Sequence, residues 1–160
     1  MSLPLIFNIE TMLALLLSGI VARWYVMPSL RQLSHHAALT PLLLFSAGRY
    51  LGLNFMVPTM TAGLAPEFAV PAAYGDFAVG LIALVAAFLL RAGSPIGVIL
   101  SWVYALLGAA DFIYAGYLGN MHNMPMHIGA SWPITFLLGP MWMVTIVLIF
   151  ILLIKPNRPQ

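Results

Sequence analysis

Five apolar stretches, each about 20 residues long, follow one another along the chain and are separated by short polar or proline-containing segments. A helix needs about 20 apolar residues to cross the hydrocarbon core of a bilayer. Proline stands at the ends of most of these stretches, where it limits a helix without interrupting it. The pattern predicts one all-α domain over 1–160, a bundle of five transmembrane helices. The predicted spans are about 3–25, 37–57, 72–90, 96–118 and 133–154.

Composition agrees with a location in lipid. Apolar residues make up 62% of the chain, charged residues 6%, and the mean hydropathy is +1.02. A soluble domain carries about 25% charged residues, so this chain cannot cover a surface that faces water. The absence of cysteine excludes disulfides and thiolate metal sites. The few basic residues are scattered, which is unlike a nucleic-acid interface. We therefore expect an integral membrane protein whose first partner is the bilayer.

The basic residues predict the orientation of the bundle. Once five spans are drawn, five of the six basic residues fall at one end, and the positive-inside tendency makes that end cytoplasmic. The amino terminus is then outside, the carboxyl terminus is cytoplasmic, and the loops 58–71 and 119–132 face outward. We expect a multi-pass protein of the cell membrane, of the bacterial inner-membrane type. The five basic residues at the inner end are Arg23, Arg31, Arg91, Lys155 and Arg158.

Away from the inner end, four charged residues lie inside the predicted spans, where charge is costly and marks candidate sites. Glu10, Arg49 and Asp111 each lie roughly 10–12 Å below the outer boundary at about 1.5 Å per residue. Asp76 is shallower, near the start of the third span. We expect these four side chains to form one polar site that opens outward. Tyr104 and Tyr114 lie on the same face of the fourth span as Asp111 and could hydrogen-bond into the site.

The charge count of this cluster allows two interpretations. Three carboxyls against one guanidinium leave an acidic excess, which favours a site that binds or conducts a small ligand, an ion or a proton. The Arg49 side chain could also meet an anionic head group. In the other interpretation, Arg49 only bridges the carboxylates and fixes the register of the helices, as in an accessory or assembly subunit of a larger membrane complex. Gly48 and Gly52 have the GxxxG spacing that lets a helix approach closely.

A second cluster lies in the outer segment 121–127, which places three thioethers and two imidazoles within seven residues. Soft sulfur and imidazole together favour copper. The alternative is an interfacial loop whose methionines dip into lipid. No other cofactor is predicted. The sequence contains no catalytic motif such as HExxH or GxSxG, and this favours a protein that is not an enzyme. A homo-oligomer or a larger complex is left open. The candidate copper ligands are Met121, His122, Met124, Met126 and His127.

Overall fold

The computed structural model of the protein describes residues 1–155, so Pro156 and Arg158 lie outside the described residues. Every regular element in that part of the chain is helical. The α-helices are α1 (Leu3–Val21), α2 (Met27–Leu30), α3 (His35–Ala47), α4 (Pro66–Arg91), α5 (Ile96–Met121) and α6 (Gly139–Ile154).

Within residues 1–155, four helices are long and apolar enough to cross a membrane: Leu3–Leu30, Pro66–Arg91, Ile96–Met121 and Gly129–Ile154. The first joins α1 to α2 through a π-helical turn at Ala22–Val26, and the last reaches α6 through a 3₁₀ turn at Gly129–Ser131 and a π-helical turn at Ile134–Leu138. The all-α, multi-helical prediction is confirmed, and these four helices indicate a membrane-embedded protein.

The third predicted span begins earlier in the structure than in the sequence analysis. Helix α4 begins at Pro66, whereas the prediction placed the start near residue 72. Pro71 directly precedes the predicted start, but it lies inside the helix as its sixth residue, where its missing N–H removes one hydrogen bond. Glu67, expected in an outer loop, consequently lies in the first helical turn, where an acidic side chain is favourable.

The second predicted span is not one of the four long helices. Helix α3 ends at Ala47, and the chain continues as a 3₁₀ helix over Gly48–Met56. A 3₁₀ helix rises about 2.0 Å per residue against about 1.5 Å for an α-helix, so the two parts together extend roughly 37 Å. This composite helix is therefore as long as a membrane-spanning helix, although its winding changes halfway.

Helix α4 lies at the centre of the bundle and packs against α3, the 3₁₀ helix and α5. The larger buried cluster joins α3, α4, α5 and α6, with Leu39, Leu43, Ala83 and Ile149 fully buried. A smaller cluster at the other end is built around Phe55, Phe68 and Ile128. Helix α1 is peripheral, since only Ala14 of its residues is buried.

Two loops, one between the 3₁₀ helix and α4 and one after α5, close the end of the bundle where α1, α4 and the last long helix begin. The amide of Ala62 donates to the carbonyl of His127 at 2.7 Å, and Ser131 N–H donates to Met60 O at 3.3 Å. Trp132 contacts Phe7 near the start of α1. These three long helices therefore run in the same direction. Their opposite ends carry the arginines and lysine of residues 1–155 other than Arg49, namely Arg23, Arg31, Arg91 and Lys155.

Candidate functional site

Arg49 forms an ion-pair cluster with carboxylates from two other helices. Its Nε donates to Asp76 Oδ1 of α4 at 2.7 Å, and its Nη2 lies 2.6 Å from the same oxygen. Nη2 also donates to Asp111 Oδ2 of α5, and Nη1 lies 3.4 Å from the carbonyl oxygen of Gly108. The guanidinium is fully buried. One arginine thus joins the 3₁₀ helix, α4 and α5.

Glycines allow the three backbones to approach closely enough for these contacts. A Cβ atom added to Gly52 would lie 2.7 Å from the Cβ of Asp76, and one added to Gly75 would collide with Asp111 Oδ1. At Gly80 an added Cβ would lie 3.0 Å from the carbonyl oxygen of Ala47. The close approach that the Gly48–Gly52 spacing predicted is thus present at Gly52. At Gly48 the neighbour is instead the Trp142 side chain, at 3.7 Å.

The cluster carries a net negative charge and exposes its acidic side. One guanidinium against two carboxylates leaves one negative charge when all three groups are ionised. The Asp76 and Asp111 side chains are 13% and 14% exposed, whereas Arg49 is 0% exposed. The aromatic ring of Phe112 covers the guanidinium, with its centroid 4.2 Å from Cζ. A molecule that arrives at the cluster therefore meets carboxylates before it meets arginine.

A cavity of about 250 Å³ adjoins the cluster. Its polar end is formed by Arg49, Asp76 and Asp111, and most of its wall is apolar and aromatic. The hydroxyl of Thr11 is buried on the α1 side of the cavity and has no hydrogen-bond partner among residues 1–155. Ligand sites commonly combine an apolar wall with a few polar groups at one end. The aromatic wall residues are Phe7, Phe55, Phe68, Phe112 and Trp142.

The other residues of the predicted polar site take different positions. Tyr104 is fully buried behind the cluster, where its hydroxyl faces Ser46 and Arg49 without a hydrogen bond of ordinary geometry to either. Tyr114 is 52% exposed on the outer face of α5. Neither tyrosine lines the cavity. The structure thus brings together Arg49, Asp76 and Asp111 out of the six residues predicted for the site.

Glu10 is separate from the ion-pair cluster and holds α1 instead. Its Oε2 accepts a hydrogen bond of 2.6 Å from Trp132 Nε1. The Trp132 ring also packs edge-on against Phe7, with the ring centroids 5.6 Å apart. The sequence predicts that Glu10 lies at about the depth of Arg49 and Asp111. In the structure, however, the cavity is lined by Phe7 and Thr11 of α1 and not by Glu10.

The Met/His-rich segment forms a short 3₁₀ turn at Met124–Met126. Met124 packs into the smaller buried cluster and lines the cavity, whereas Met121 and Met126 are exposed. His127 Nδ1 lies 3.0 Å from the carbonyl oxygen of Ala62. Within the described chain no three His, Asp or Glu side chains come together as a metal-ligand group. Copper binding by Met121, His122, Met124, Met126 and His127 stays a prediction.

Several cavity residues were not predicted from the sequence. Phe112 is next to Asp111 in the sequence, but this adjacency does not predict that its ring covers the Arg49 guanidinium. Trp142 lines the cavity and donates from Nε1 to the carbonyl oxygen of Phe45 at 3.2 Å. Its sequence signal is weak because the four tryptophans are spread over the whole chain.

Fold and cluster together define a class: a multi-helical, membrane-embedded protein with a buried Arg–Asp–Asp cluster at one end of an apolar cavity. The chain belongs to the family described as Domain of unknown function (DUF8737), whose family model matches residues 6–154. No curated protein and no solved structure matches the chain.

Proposed function

We propose that the cavity beside Arg49, Asp76 and Asp111 is an intramembrane polar site that binds or conducts a small ligand, an ion or a proton. The observation that carries this proposal is the acidic excess of a buried cluster that faces a cavity of about 250 Å³. An uncompensated charge in a low-dielectric environment is costly, so a proton or a cation stabilises the cluster. A purely structural clamp of three helices would use both carboxylates, but it would not need a cavity beside them.

The proposal includes a topology. The composite helix over α3 and Gly48–Met56 provides the fifth span from about residue 37 onward, since it is long enough to cross and carries Arg49 into the bundle. The basic end of the bundle is cytoplasmic by the positive-inside tendency. The amino terminus and the cavity then face outward in a cell membrane of the bacterial inner-membrane type.

One observation supports a second candidate function, that of an accessory or assembly subunit. The Nε and both terminal nitrogens of Arg49 have partners within the chain, which is the arrangement of an internal clamp. Buried ion pairs can fix the arrangement of helices without binding anything. In that case the cavity is incidental and the activity belongs to a partner protein.

The two candidates differ in what the purified protein does alone. The test compares the wild type, Asp111→Asn and the control Glu67→Gln, which removes a carboxylate away from the cavity. Each protein is analysed by native mass spectrometry from nanodiscs, and by proton flux into proteoliposomes loaded with pyranine under an imposed potential.

The site proposal predicts a bound small molecule or a proton flux in the wild type. Asp111→Asn should lose it, and Glu67→Gln should keep it. A wild type with neither property overturns the proposal, as does a folded Asp111→Asn variant that behaves like the wild type. A stoichiometric protein partner that co-purifies in mild detergent, with both properties absent, supports the subunit.

A further inference from the structure

We infer that the ligand of this cavity is a monovalent organic cation with an apolar body, and that it enters sideways from the lipid between α1 and α5. This inference rests on the proposed function, because it specifies the ligand and the route for the same site.

The charge of the ligand follows from which groups it can reach. Asp76, Asp111 and Arg49 all adjoin the cavity, but the two carboxylate side chains are 13% and 14% exposed, whereas the Arg49 side chain is 0% exposed beneath the Phe112 ring. An anion would meet two carboxylates before it could reach the guanidinium. A single positive charge brings the whole cluster to neutrality, which an uncharged ligand cannot do.

The wall of the cavity favours an organic cation over a metal ion. Calcium takes six to eight oxygen ligands, and magnesium bound by one or two carboxylates keeps several waters. The wall of this cavity is mostly apolar and aromatic, so it offers few partners to such waters, and no three His, Asp or Glu side chains come together within residues 1–155. Aromatic rings attract organic ammonium groups through their π-faces. An apolar body would cover the wall formed by Phe7, Phe55, Phe68 and Trp142.

The volume sets the size of the ligand. An engineered apolar cavity of about 150 Å³ accommodates benzene. The cavity here is about 250 Å³ and therefore has room for one aromatic ring together with a small ammonium group. Benzyltrimethylammonium has this size and charge and serves as the probe.

The route follows from the packing of α1. This helix packs against α6, against the π-helical turn Ile134–Leu138 that leads into α6, and against the Met124–Met126 turn. It has few contacts with α5. Both α1 and α5 nevertheless line the cavity, through Phe7 and Thr11 on one side and Ala115 and Gly116 on the other. Gly116 is exposed, and a Cβ atom added there would meet nothing within 4 Å. The space between the two helices is therefore an opening that faces lipid.

The experiment measures binding of three probes of similar shape to the protein in nanodiscs by saturation-transfer NMR. They are benzyltrimethylammonium, its uncharged carbon isostere neopentylbenzene and the anion benzylsulfonate. The variants are Asp111→Asn, which removes the charge, and Gly116→Leu, which fills the opening and leaves the ion pairs intact. The control is Gly19→Leu, since Gly19 also has open space around its Cβ position but does not line this cavity.

We expect the cation to bind the wild type and Gly19→Leu equally. Asp111→Asn should weaken its affinity by about 10- to 100-fold, because the attraction acts in a low dielectric. Gly116→Leu should weaken or slow binding by at least about tenfold although the charges are unchanged. The isostere and the anion should bind at least about tenfold more weakly than the cation.

Equal binding of the isostere, or stronger binding of the anion, overturns the assignment of charge. Unchanged binding in Gly116→Leu overturns the route. If no probe binds while the wild type still shows proton flux or a bound small molecule that Asp111→Asn loses, the ligand class is wrong and the proposed function stands. If those two properties are absent as well, both fail.

Discussion

Arg49 Nε donates a hydrogen bond of 2.7 Å to Asp76 Oδ1 across the contact between the 3₁₀ helix and α4. Gly52, one 3₁₀ turn after Arg49, has no side chain and leaves the space that the Asp76 side chain occupies. The ion pair and the close approach of the two backbones therefore depend on each other.

Removing the charge of Arg49 should destabilise the protein strongly. Arg49→Gln leaves two buried carboxylates without their cation, and breaking a buried pair costs about 3–5 kcal/mol. Unfolding in detergent micelles by increasing SDS measures the change. The matched control is Arg91→Gln at the exposed end of α4, which should change the free energy of unfolding by no more than about 0.5 kcal/mol. Equal stability of the two variants would show that the cluster contributes nothing to folding.

Two glycine-to-alanine substitutions should differ in their effect on stability. Gly52→Ala forces its Cβ against Asp76, and overpacking of this kind costs about 1–3 kcal/mol. Gly116→Ala meets open space and should leave stability unchanged or raise it by up to about 1 kcal/mol through helix propensity. Thermal unfolding of both variants in one detergent makes the comparison. A Gly52→Ala protein as stable as Gly116→Ala would contradict the close approach.

The hydrogen bond between Trp132 and Glu10 should hold α1 against the rest of the bundle. Trp132→Phe removes the donor but keeps an aromatic ring beside Phe7, and a hydrogen bond to a charged group contributes about 1.5–3 kcal/mol. We expect faster amide hydrogen exchange over 3–13 and unchanged exchange in α4. Glu10→Gln keeps an acceptor oxygen and should have a smaller effect. Unchanged exchange of α1 in Trp132→Phe would exclude this role for the bond.

Stability should fall as the pH drops below about 6.5 because of His35. Burial, and secondarily the charge of His36, lowers the pKa of His35 from its ordinary value of 6.5. The unfolded chain then binds the proton at a higher pH than the folded chain, so the contribution is complete above pH 6.5 and is lost below it. Melting temperatures from pH 8 to pH 5 measure the loss.

His35→Gln should reduce that pH dependence most. His36→Gln should reduce it less, since it removes only the smaller cause of the lowered pKa. An unchanged slope in His35→Gln would assign the pH dependence to other groups.

The positions of the helices could be predicted from the sequence because hydropathy and proline placement report directly on membrane spans. The start of α4 could not, because a proline in the second turn of a helix, as Pro71 is, gives the same sequence signal as a proline at a helix boundary. The change from α-helix to 3₁₀ helix at Gly48 could not be predicted from the sequence either. The 3₁₀ helix packs against α4, and the periodicity of apolar residues predicts neither this contact nor the tighter winding.

The site could be predicted only as far as the depth of each charged residue in the membrane specifies it. The sequence predicts that Arg49, Asp76 and Asp111 lie together because a charge inside the membrane is costly unless it has a partner of opposite charge. Depth does not specify the face of a helix, so Glu10 was grouped with them although its partner is Trp132. The aromatic wall was not predictable, since Phe112 and Trp142 are single residues in a chain rich in apolar side chains.

The most direct test of the account is an experimental structure of the protein extracted in its native lipids. The account predicts non-protein density in the cavity between Asp111 and Trp142 in the wild type, and its loss in Asp111→Asn. A wild-type structure in which α1 closes onto α5 and leaves neither cavity nor density would contradict it.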